Sequence, residues 1–461
     1  MTNTDFDVIV LGAGPAGEVA AGRLVSHGLS VAVVERELAG GECSYWACIP
    51  SKSLLHPAAA LHKAQRVPGA AQAVTGKLDA EAVFAKRNEM ISNFDDSSQV
   101  SWIEGEGIEF VRGQARLDGD RVVVVTKPDG DETRLYAQKA VIVATGSSAS
   151  VPPIDGLNGI DYWTSREATT ANSVPGSLAI VGGGVVAVEM ASAWNSLGSS
   201  VTLLVRGDRL IEREEPFASD LLADALTNAG IDVRLNCEAS RVENSANGIT
   251  VHVSNGEAVE TERLLVAAGR RPNTADLGLD SVGLEPGKAI EVDDQLRAKG
   301  IDSGWLYAVG DAAGRSLLTH MGKYQATLAA DHIGGHKVEA WADHHAVPGV
   351  IFTNPQVASV GIKLHDARLA GLDAKEVRVP LNSVAATSID GAPEGSAQLV
   401  VDQDRRVIVG ATFVGPEVAD LAYAATVAIV GEVPIDRLRH AVPAFPAQSE
   451  LWLRLIEAYG L

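Results

Sequence analysis

Along the first three quarters of the chain, short apolar runs that end in glycine alternate with helix-length segments, the pattern of strands buried on both faces of a parallel sheet. Asp7-Val8-Ile9-Val10-Leu11 predicts a first strand, Gly12-Ala13-Gly14-Pro15-Ala16-Gly17 a turn, the segment through His27 a helix, and Ser30-Val31-Ala32-Val33-Val34-Glu35 a second strand ending in a carboxylate. The same order returns about 170 residues later: residues 178–181 as strand, Gly182-Gly183-Gly184-Val185-Val186-Ala187 as turn, a helix to Leu197, and residues 200–205 as strand. Each unit is followed by a returning apolar strand that ends in glycine, Val141-Ile142-Val143-Ala144-Thr145-Gly146 and Leu264-Leu265-Val266-Ala267-Ala268-Gly269. A later one, Trp305-Leu306-Tyr307-Ala308-Val309, stops at Gly310-Asp311. From about residue 346 the signals become antiparallel: 398–401 and 406–409 flank 402–405 as a hairpin, and helices are predicted at 417–430 and near the chain end.

The two glycine turns carry chemistry. Gly12 and Gly14 let the backbone turn tightly and approach a pyrophosphate, and Gly17 lets helix and strand pack closely. The free N–H groups and positive dipole of the helix start then face the phosphates. Glu35 is expected to accept hydrogen bonds from an adenosine ribose. Gly182, Gly184 and Ala187 stand at the corresponding places in the second turn, so two dinucleotides are expected. The second strand of that unit ends in Val205-Arg206, with no acid for a 2′-hydroxyl and a guanidinium for a 2′-phosphate. This favours NADPH, with NADH still possible because Glu212, Glu214 and Glu215 crowd the stretch that also holds Arg209 and Arg213. Thr145, Gly146 and Gly269 mark the exits of the returning strands, and Asp311, at a strand's carboxyl end, is expected to meet a ribityl hydroxyl.

Composition acts mainly by exclusion. With 461 residues, 46% of them hydrophobic, the chain can bury several cores. Its 38 Lys plus Arg against 59 Asp plus Glu make a surface that repels nucleic acid and anionic lipid. The first residues have no basic leader pattern, and no apolar run is long enough to span a bilayer, so a cytoplasmic location and no membrane partner are expected. The three cysteines are too few for a secreted disulfide framework, and no ligands at matching spacing make Cys43 and Cys48 a zinc site. Cys237, alone in a β-type run, reads as a buried small hydrophobe.

Cys43 and Cys48 lie in Cys43-Ser44-Tyr45-Trp46-Ala47-Cys48-Ile49-Pro50-Ser51-Lys52, directly after the strand bearing Glu35 and on a loop and helix start beside whatever the first cradle binds. A thiolate at a helix start near Lys52 is expected to have a lowered pKa, which suits a nucleophile and an electron donor to a flavin. The pair can hold two electrons.

At this segment the chain resembles the pyridine nucleotide-disulfide oxidoreductases, the family of glutathione reductase, dihydrolipoyl dehydrogenase and mercuric reductase. The likeness runs through both cradles, the C-x4-C-I-P-S-K segment, the Ala-Thr-Gly and Gly-Arg-Arg-Pro-Asn-Thr turns, Val309-Gly310-Asp311, and Thr353-Asn354-Pro355-Gln356-Val357-Ala358-Ser359-Val360-Gly361. It implies an α/β fold with two Rossmann-like domains, one for FAD (1–148 and 271–345) and one for NAD(P)H (149–270). It also implies an α+β dimerisation domain (346–461) and a homodimer in which that domain completes the partner's active site. Electrons are expected to pass from the nicotinamide through FAD to a Cys43–Cys48 disulfide, with Cys48 nearer the flavin, Cys43 meeting the substrate, and Lys52 paired with Glu189 beside the cofactors.

The sequence departs from this pattern at one place. In the disulfide-reducing branches a His-Pro dipeptide, with a Glu five residues downstream, exchanges a proton with the interchange thiol. Here Phe445 occupies the His position, and Pro446 and Glu450 remain. A benzyl group carries no proton, so ordinary dithiol–disulfide chemistry is expected to slow by roughly 10²- to 10⁴-fold; His440, five residues earlier, is a candidate substitute with the wrong spacing to Glu450. Mercuric reductases carry an aromatic there but also a carboxy-terminal cysteine pair, which this sequence lacks. The ketopropyl-coenzyme M reductase/carboxylase has Phe but does not keep the Glu. The expected activity is therefore NADPH oxidation through FAD and the cysteine pair to an unidentified small acceptor. Dihydrolipoyl dehydrogenase, metal-ion reductase, quinone reductase and carbon–sulfur-cleaving reductase stand as alternatives, and a non-catalytic redox sensor is the alternative from another class.

Overall fold

The computed structural model of the chain describes residues 4–246 and 248–461 and divides into two compact units. The first comprises the residues up to Pro50, Asn88–Ser150 and Arg270–His344, and the second Ser51–Arg87, Val151–Gly269 and His345–Leu461.

In the first unit, Asp5–Leu11 lies between Val31–Glu35 and Glu132–Val143 in a parallel sheet that Glu109–Arg112 extends beyond Val31–Glu35. Leu306–Ala308 joins the far side of Glu132–Val143, again parallel. The start of that long strand turns away to pair antiparallel with Val122–Thr126, which pairs with Gln114–Leu117. Val8 to Leu11 and Val31 to Val34 are buried throughout, as strands covered on both faces must be. Helices Pro15–Ser26 and Thr319–Ile333 pack side by side on this sheet, and Asp331 ties them together by accepting from Arg23 at 2.6 Å and lying 2.8 Å from His27 Nε2.

The second unit repeats the parallel grammar with four strands in the order Asp232–Arg234, Ser200–Leu204, Ser177–Val181, Arg263–Val266. A three-stranded antiparallel meander follows Asp232–Arg234 in sequence. Its other part is a five-stranded antiparallel sheet in the order Pro348–Ile351, Gln356–Gly361, Val407–Gly415, Ser396–Asp402, Ala374–Pro380. The hairpin expected around 402–405 is the pairing of Asp402 with Val407. The following helices run Ala419–Val430 and Glu450–Tyr459. Cys237 is buried as expected but stands in the connection before Ala239–Ser245 rather than in a strand, and burial pushes its thiol pKa up.

One buried charge anchors the second unit. Arg87 is fully buried, and its guanidinium donates to the carbonyls of Thr169 and Ala171 at 2.6 and 3.0 Å and to Asn172 Oδ1 at 2.6 Å. These are groups at and just past the end of helix Ser165–Thr170, where carbonyls lack helical partners. Beside it, Trp194 is flanked by the rings of Phe84 and Trp163 at 5.9 and 5.3 Å. Arg87→Met keeps the bulk and strands the buried Thr169 carbonyl and two part-buried acceptors. Urea unfolding followed by circular dichroism is expected to show a loss of roughly 3 kcal/mol.

Candidate active site

Both cradles close by the same steric device. Gly12 has φ +102°, and a Cβ on it would sit 2.6 Å from the Ala144 carbonyl of the returning strand; Gly182 has φ +138°, with Ala267 O at 2.3 Å. Only glycine takes such a conformation with a strand so close. Gly17 is held tighter still, its Cβ position lying 1.9 Å from Gly12 O, whereas Ala187 at the corresponding place is accommodated and fully buried. Gly14 and Gly184 differ from these: each precedes a helix, has negative φ, and would meet nothing within 4 Å. Those two positions are open to a ligand that approaches the helix starts.

Glu35 ends its strand buried, its Oε2 accepting from Ala13 N at 2.8 Å and its Oε1 from Glu37 N at 2.7 Å. Each oxygen keeps a lone pair for a further donor. The carboxylate lines a cavity of about 50 Å³ with Gly12, Gln114, Thr145 and Asn273, at the carboxyl ends of the strands. An open glycine, a free helix start and an acid facing a cavity fit the adenosine and pyrophosphate of FAD.

The exit turn of this unit is laced to residues 270–273. Thr145 Oγ1 donates to Asn273 O at 2.8 Å, Asn273 N donates to the carbonyl of Gly146 (φ +69°) at 2.9 Å, and Arg270–Pro272 pairs with Ser147–Ala149. Asp311 accepts from Ser147 Oγ and lies 3.9 Å from Arg270; burial raises its pKa despite both neighbours. Sequence reasoning missed Arg270, Ser147 and Asn273 as partners, although the Gly-Arg-Arg-Pro-Asn-Thr run was visible.

The cysteine segment folds as a short helix, Gly41–Tyr45, followed by helix Cys48–Arg66, so Cys48 is the first residue of a long helix. Gly40 N donates to Ala13 O at 2.7 Å, and a Cβ on Gly41 would sit 2.8 Å from Gly14 Cα. The segment is thus seated against the first cradle. Both cysteines are free thiols. The lowered pKa expected for a thiol here is reversed at Cys43: its hydrogen bond to Cys48 and its burial push it far up, and Thr319 and Lys323 only partly offset this. In the reduced pair the proton stays on Cys43. Cys48 Sγ lies 3.2 Å from Thr319 Oγ1, a partner at the first position of helix Thr319–Ile333 that sequence reasoning missed. Tyr45, Trp46 and Phe94 form an aromatic wall beside the pair, with ring centroids 5.7 to 6.4 Å apart.

Within the second unit, Lys52 and Glu189 meet at 2.7 Å. Glu189 is buried, and its other oxygen accepts from Phe352 N at 2.9 Å; the Lys52 ammonium lies 5.0 Å from the centre of the Phe352 ring. Arg206 is exposed just past strand Ser200–Leu204. Two of the acids that crowd it in sequence are engaged elsewhere: Glu214 with Lys363 at 2.6 Å and Ser359 at 3.2 Å, and buried Glu215 with Leu364 N at 2.7 Å. The Gly269 exit has φ +130°.

Phe445 is 77% exposed, close in sequence to exposed Val442. Glu450 is buried and its Oε2 has no hydrogen-bond partner among the described residues. His440 is exposed on a turn after Ile435–Leu438.

Comparison with known proteins places this geometry in context. The pyridine nucleotide-disulphide oxidoreductase family matches residues 6–331, and its dimerisation domain matches residues 347–455. A mercuric reductase from Staphylococcus aureus is 30% identical over 97% of this chain and 81% of its own length. A dihydrolipoyl dehydrogenase from Chlamydia pneumoniae is 31% identical over 97% of this chain and 95% of its own. Among solved structures, the Cu(II) complex of the HOCl-induced flavoprotein disulfide reductase RclA from Escherichia coli superposes with TM-score 0.87 at 25% identity, covering 99% of both chains.

The two kinds of glycine separate experimentally. Gly17→Ala is expected to lose both flavin and thermal stability, because its Cβ collides with backbone. Gly14→Ala is expected to melt like the wild-type apoprotein yet purify with less than about a tenth of the flavin, as its Cβ collides only with a bound pyrophosphate. The ratio of flavin to protein absorbance, with apoprotein melting curves, distinguishes these outcomes.

Proposed function

Because the chain belongs to the pyridine nucleotide-disulphide oxidoreductases, we propose that it carries two electrons from NADPH, by way of FAD, to the Cys43–Cys48 pair and on to a small thiol-reactive acceptor, a disulfide or a comparable electrophile. Members of this family are enzymes that use FAD and NAD(P)H. Bound FAD supplies a two-electron relay between a nicotinamide hydride and a disulfide. The observation that carries the reading is the docking of the cysteine segment on the first cradle through Gly40 and Gly41.

On this reading residues 1–148 and 271–345 hold FAD, with Gly12, Gly14, Gly17, Glu35, Thr145, Gly146 and Asp311 around it. Residues 149–270 hold the nicotinamide dinucleotide, with Gly182, Gly184, Ala187 and Gly269 forming its cradle. Arg206 selects the 2′-phosphate, which the engagement of Glu214 and Glu215 elsewhere supports. Cys48 takes electrons from the flavin side, assisted by Thr319, and Cys43 attacks the acceptor. The Lys52–Glu189 pair supplies a fixed positive charge on the cofactor side. Residues 346–461 form a homodimer, and exposed Tyr423, Val427 and Val430 on helix Ala419–Val430 supply apolar surface for it.

A second reading, reduction of a thiophilic metal ion, is favoured by the mercuric reductases and the copper-bound RclA among similar proteins. A dithiol is a soft ligand pair suited to such ions. Phe445 weighs against fast dihydrolipoamide oxidation under either reading.

An anaerobic titration with NADPH, and separately NADH, tests the electron path. One equivalent of NADPH is expected to raise a long-wavelength thiolate–flavin absorption band, at lower concentration than NADH does, and Arg206→Glu is expected to reverse that order. In Cys43→Ser, turnover with a disulfide or with Hg²⁺ is expected to vanish while quinone reduction survives; retained disulfide turnover would remove the cysteines from the path. Phe445→His places an imidazole five residues before Glu450, and its rate with an alkyl disulfide is expected to rise at least about tenfold. An unchanged rate would take position 445 out of the proton path.

A further inference from the structure

The reading above leaves a dithiol with no proton carrier at position 445, and the first unit holds a half-buried acid that nothing so far employs. Glu18 lies in the first turn of helix Pro15–Ser26, and its Oε1 is buried without a hydrogen-bond partner among the described residues. With Val19, Ser98, Gln99, Trp102 and Lys323 it lines a cavity of about 330 Å³. Gln99 Oε1 is buried and unpartnered in the same way.

Helix Thr319–Ile333 connects this cavity to the cysteines. Thr319 and Lys323 are four residues apart and so share a face. The first touches Cys48, and the ammonium of the second acts on both the Cys43 thiol and the Glu18 carboxyl. Around Glu18 the charged and titratable groups are Lys323 from that helix, Glu35 from strand Val31–Glu35 and Tyr45 from the cysteine segment. The neighbouring helix Ser97–Gly105 presents Ser98, Gln99 and Trp102 to the cavity.

We propose that Glu18 is the proton-exchanging residue of the dithiol reaction, a role that Phe445 cannot fill. The inference rests on the cysteine pair being the route to the acceptor. As Cys43 sulfur attacks the acceptor disulfide, its proton passes to the Glu18 carboxylate, a Cys43–acceptor S–S bond forms and the acceptor's S–S bond breaks. Glu18 then returns that proton to the departing thiolate. The Cys48 thiolate then closes the Cys43–Cys48 disulfide, and the second leaving sulfur takes up a proton from solvent. Two thiols leave, and no further reductant is required. Burial, only partly opposed by Lys323 and reinforced by Glu35, raises the Glu18 pKa to about 7, where a carboxyl can both accept and donate near neutral pH.

The test uses the flavin-loaded enzyme, NADPH and two acceptors: hydroxyethyl disulfide, whose leaving thiolate needs a proton, and 5,5′-dithiobis(2-nitrobenzoate), whose leaving thiolate does not. In Glu18→Gln the ratio of aryl- to alkyl-disulfide rates is expected to rise at least about thirtyfold. The wild-type alkyl rate is expected to respond to a group titrating near 7, and that response is expected to be lost in the variant. Infrared difference spectra of wild type minus Glu18→Gln are expected to show a protonated carboxyl that titrates near 7. Lys323→Met, which removes an opposing positive charge, is expected to move this titration upward and provides a second variant should Glu18→Gln fold poorly. A carboxyl already ionised at pH 5, or an unchanged rate ratio, overturns the proposal. If Cys43→Ser reduces both disulfides as well as the wild type does, it is instead the cysteine route that has failed.

Discussion

The approach of backbone to backbone around Gly12, Gly14, Gly17 and Gly41 is the constraint on which the first unit depends. Gly12 crosses under the returning strand, Gly17 backs onto Gly12, and Gly41 of the cysteine segment rests on Gly14. At Gly12, Gly17 and Gly41 a single methyl group would push two segments apart, since each Cβ position lies under 3 Å from backbone atoms. The contacts are chained, so the position of Cys43 and Cys48 is fixed by the geometry that shapes the nucleotide cradle. Redox centre and cofactor site are in this sense one construction.

Much of that construction was legible in the sequence because its rules are local. The strand–turn–helix–strand order, the carboxylate at Glu35 and the recurrence at Gly182 depend on residue types at short spacings, and the strands and helices form within a few residues of where the pattern puts them. The hairpin around residues 402–405 was equally visible, as alternating apolar runs around a polar turn. What could not be read were partners brought together by tertiary packing. Thr319 meets Cys48 across 271 residues and Arg87 meets Asn172 across 85, and neither carries a local signal. Glu18 reads in sequence as an ordinary acid in a helix's first turn, where the dipole would favour its charge. Only the neighbouring helices show that one of its oxygens is buried without a hydrogen-bond partner among the described residues.

The thiol pair illustrates how far local rules can mislead. A helix start and a nearby lysine argue for an acidic thiol, and Cys48 does begin a helix. Yet Lys52 is engaged by Glu189 at 2.7 Å, and Cys43 is governed by its hydrogen bond to the other sulfur and by burial. Two thiols in contact share their protons unequally, so the behaviour belongs to the pair rather than to either residue. A sequence rule that treats each cysteine alone misses this coupling.

Holding the proton on Cys43 sets a requirement for the rest of the site. A protonated interchange thiol is a poor nucleophile until a base relieves it, and the departing sulfur needs an acid unless its thiol is already acidic. An imidazole would meet both needs, but position 445 has none, and Oε2 of the buried Glu450 five residues on has no hydrogen-bond partner among the described residues. A carboxyl can take over only if its pKa rises toward that of imidazole, which in water it does not. Burial against helix Ser97–Gly105, with Lys323 too exposed to hold the charge fully, gives Glu18 that property. On the proposal made above, the Phe at position 445 and the desolvation of Glu18 belong to one arrangement. On that proposal, proton exchange belongs to the helix that begins at the flavin cradle and not to the dimerisation domain.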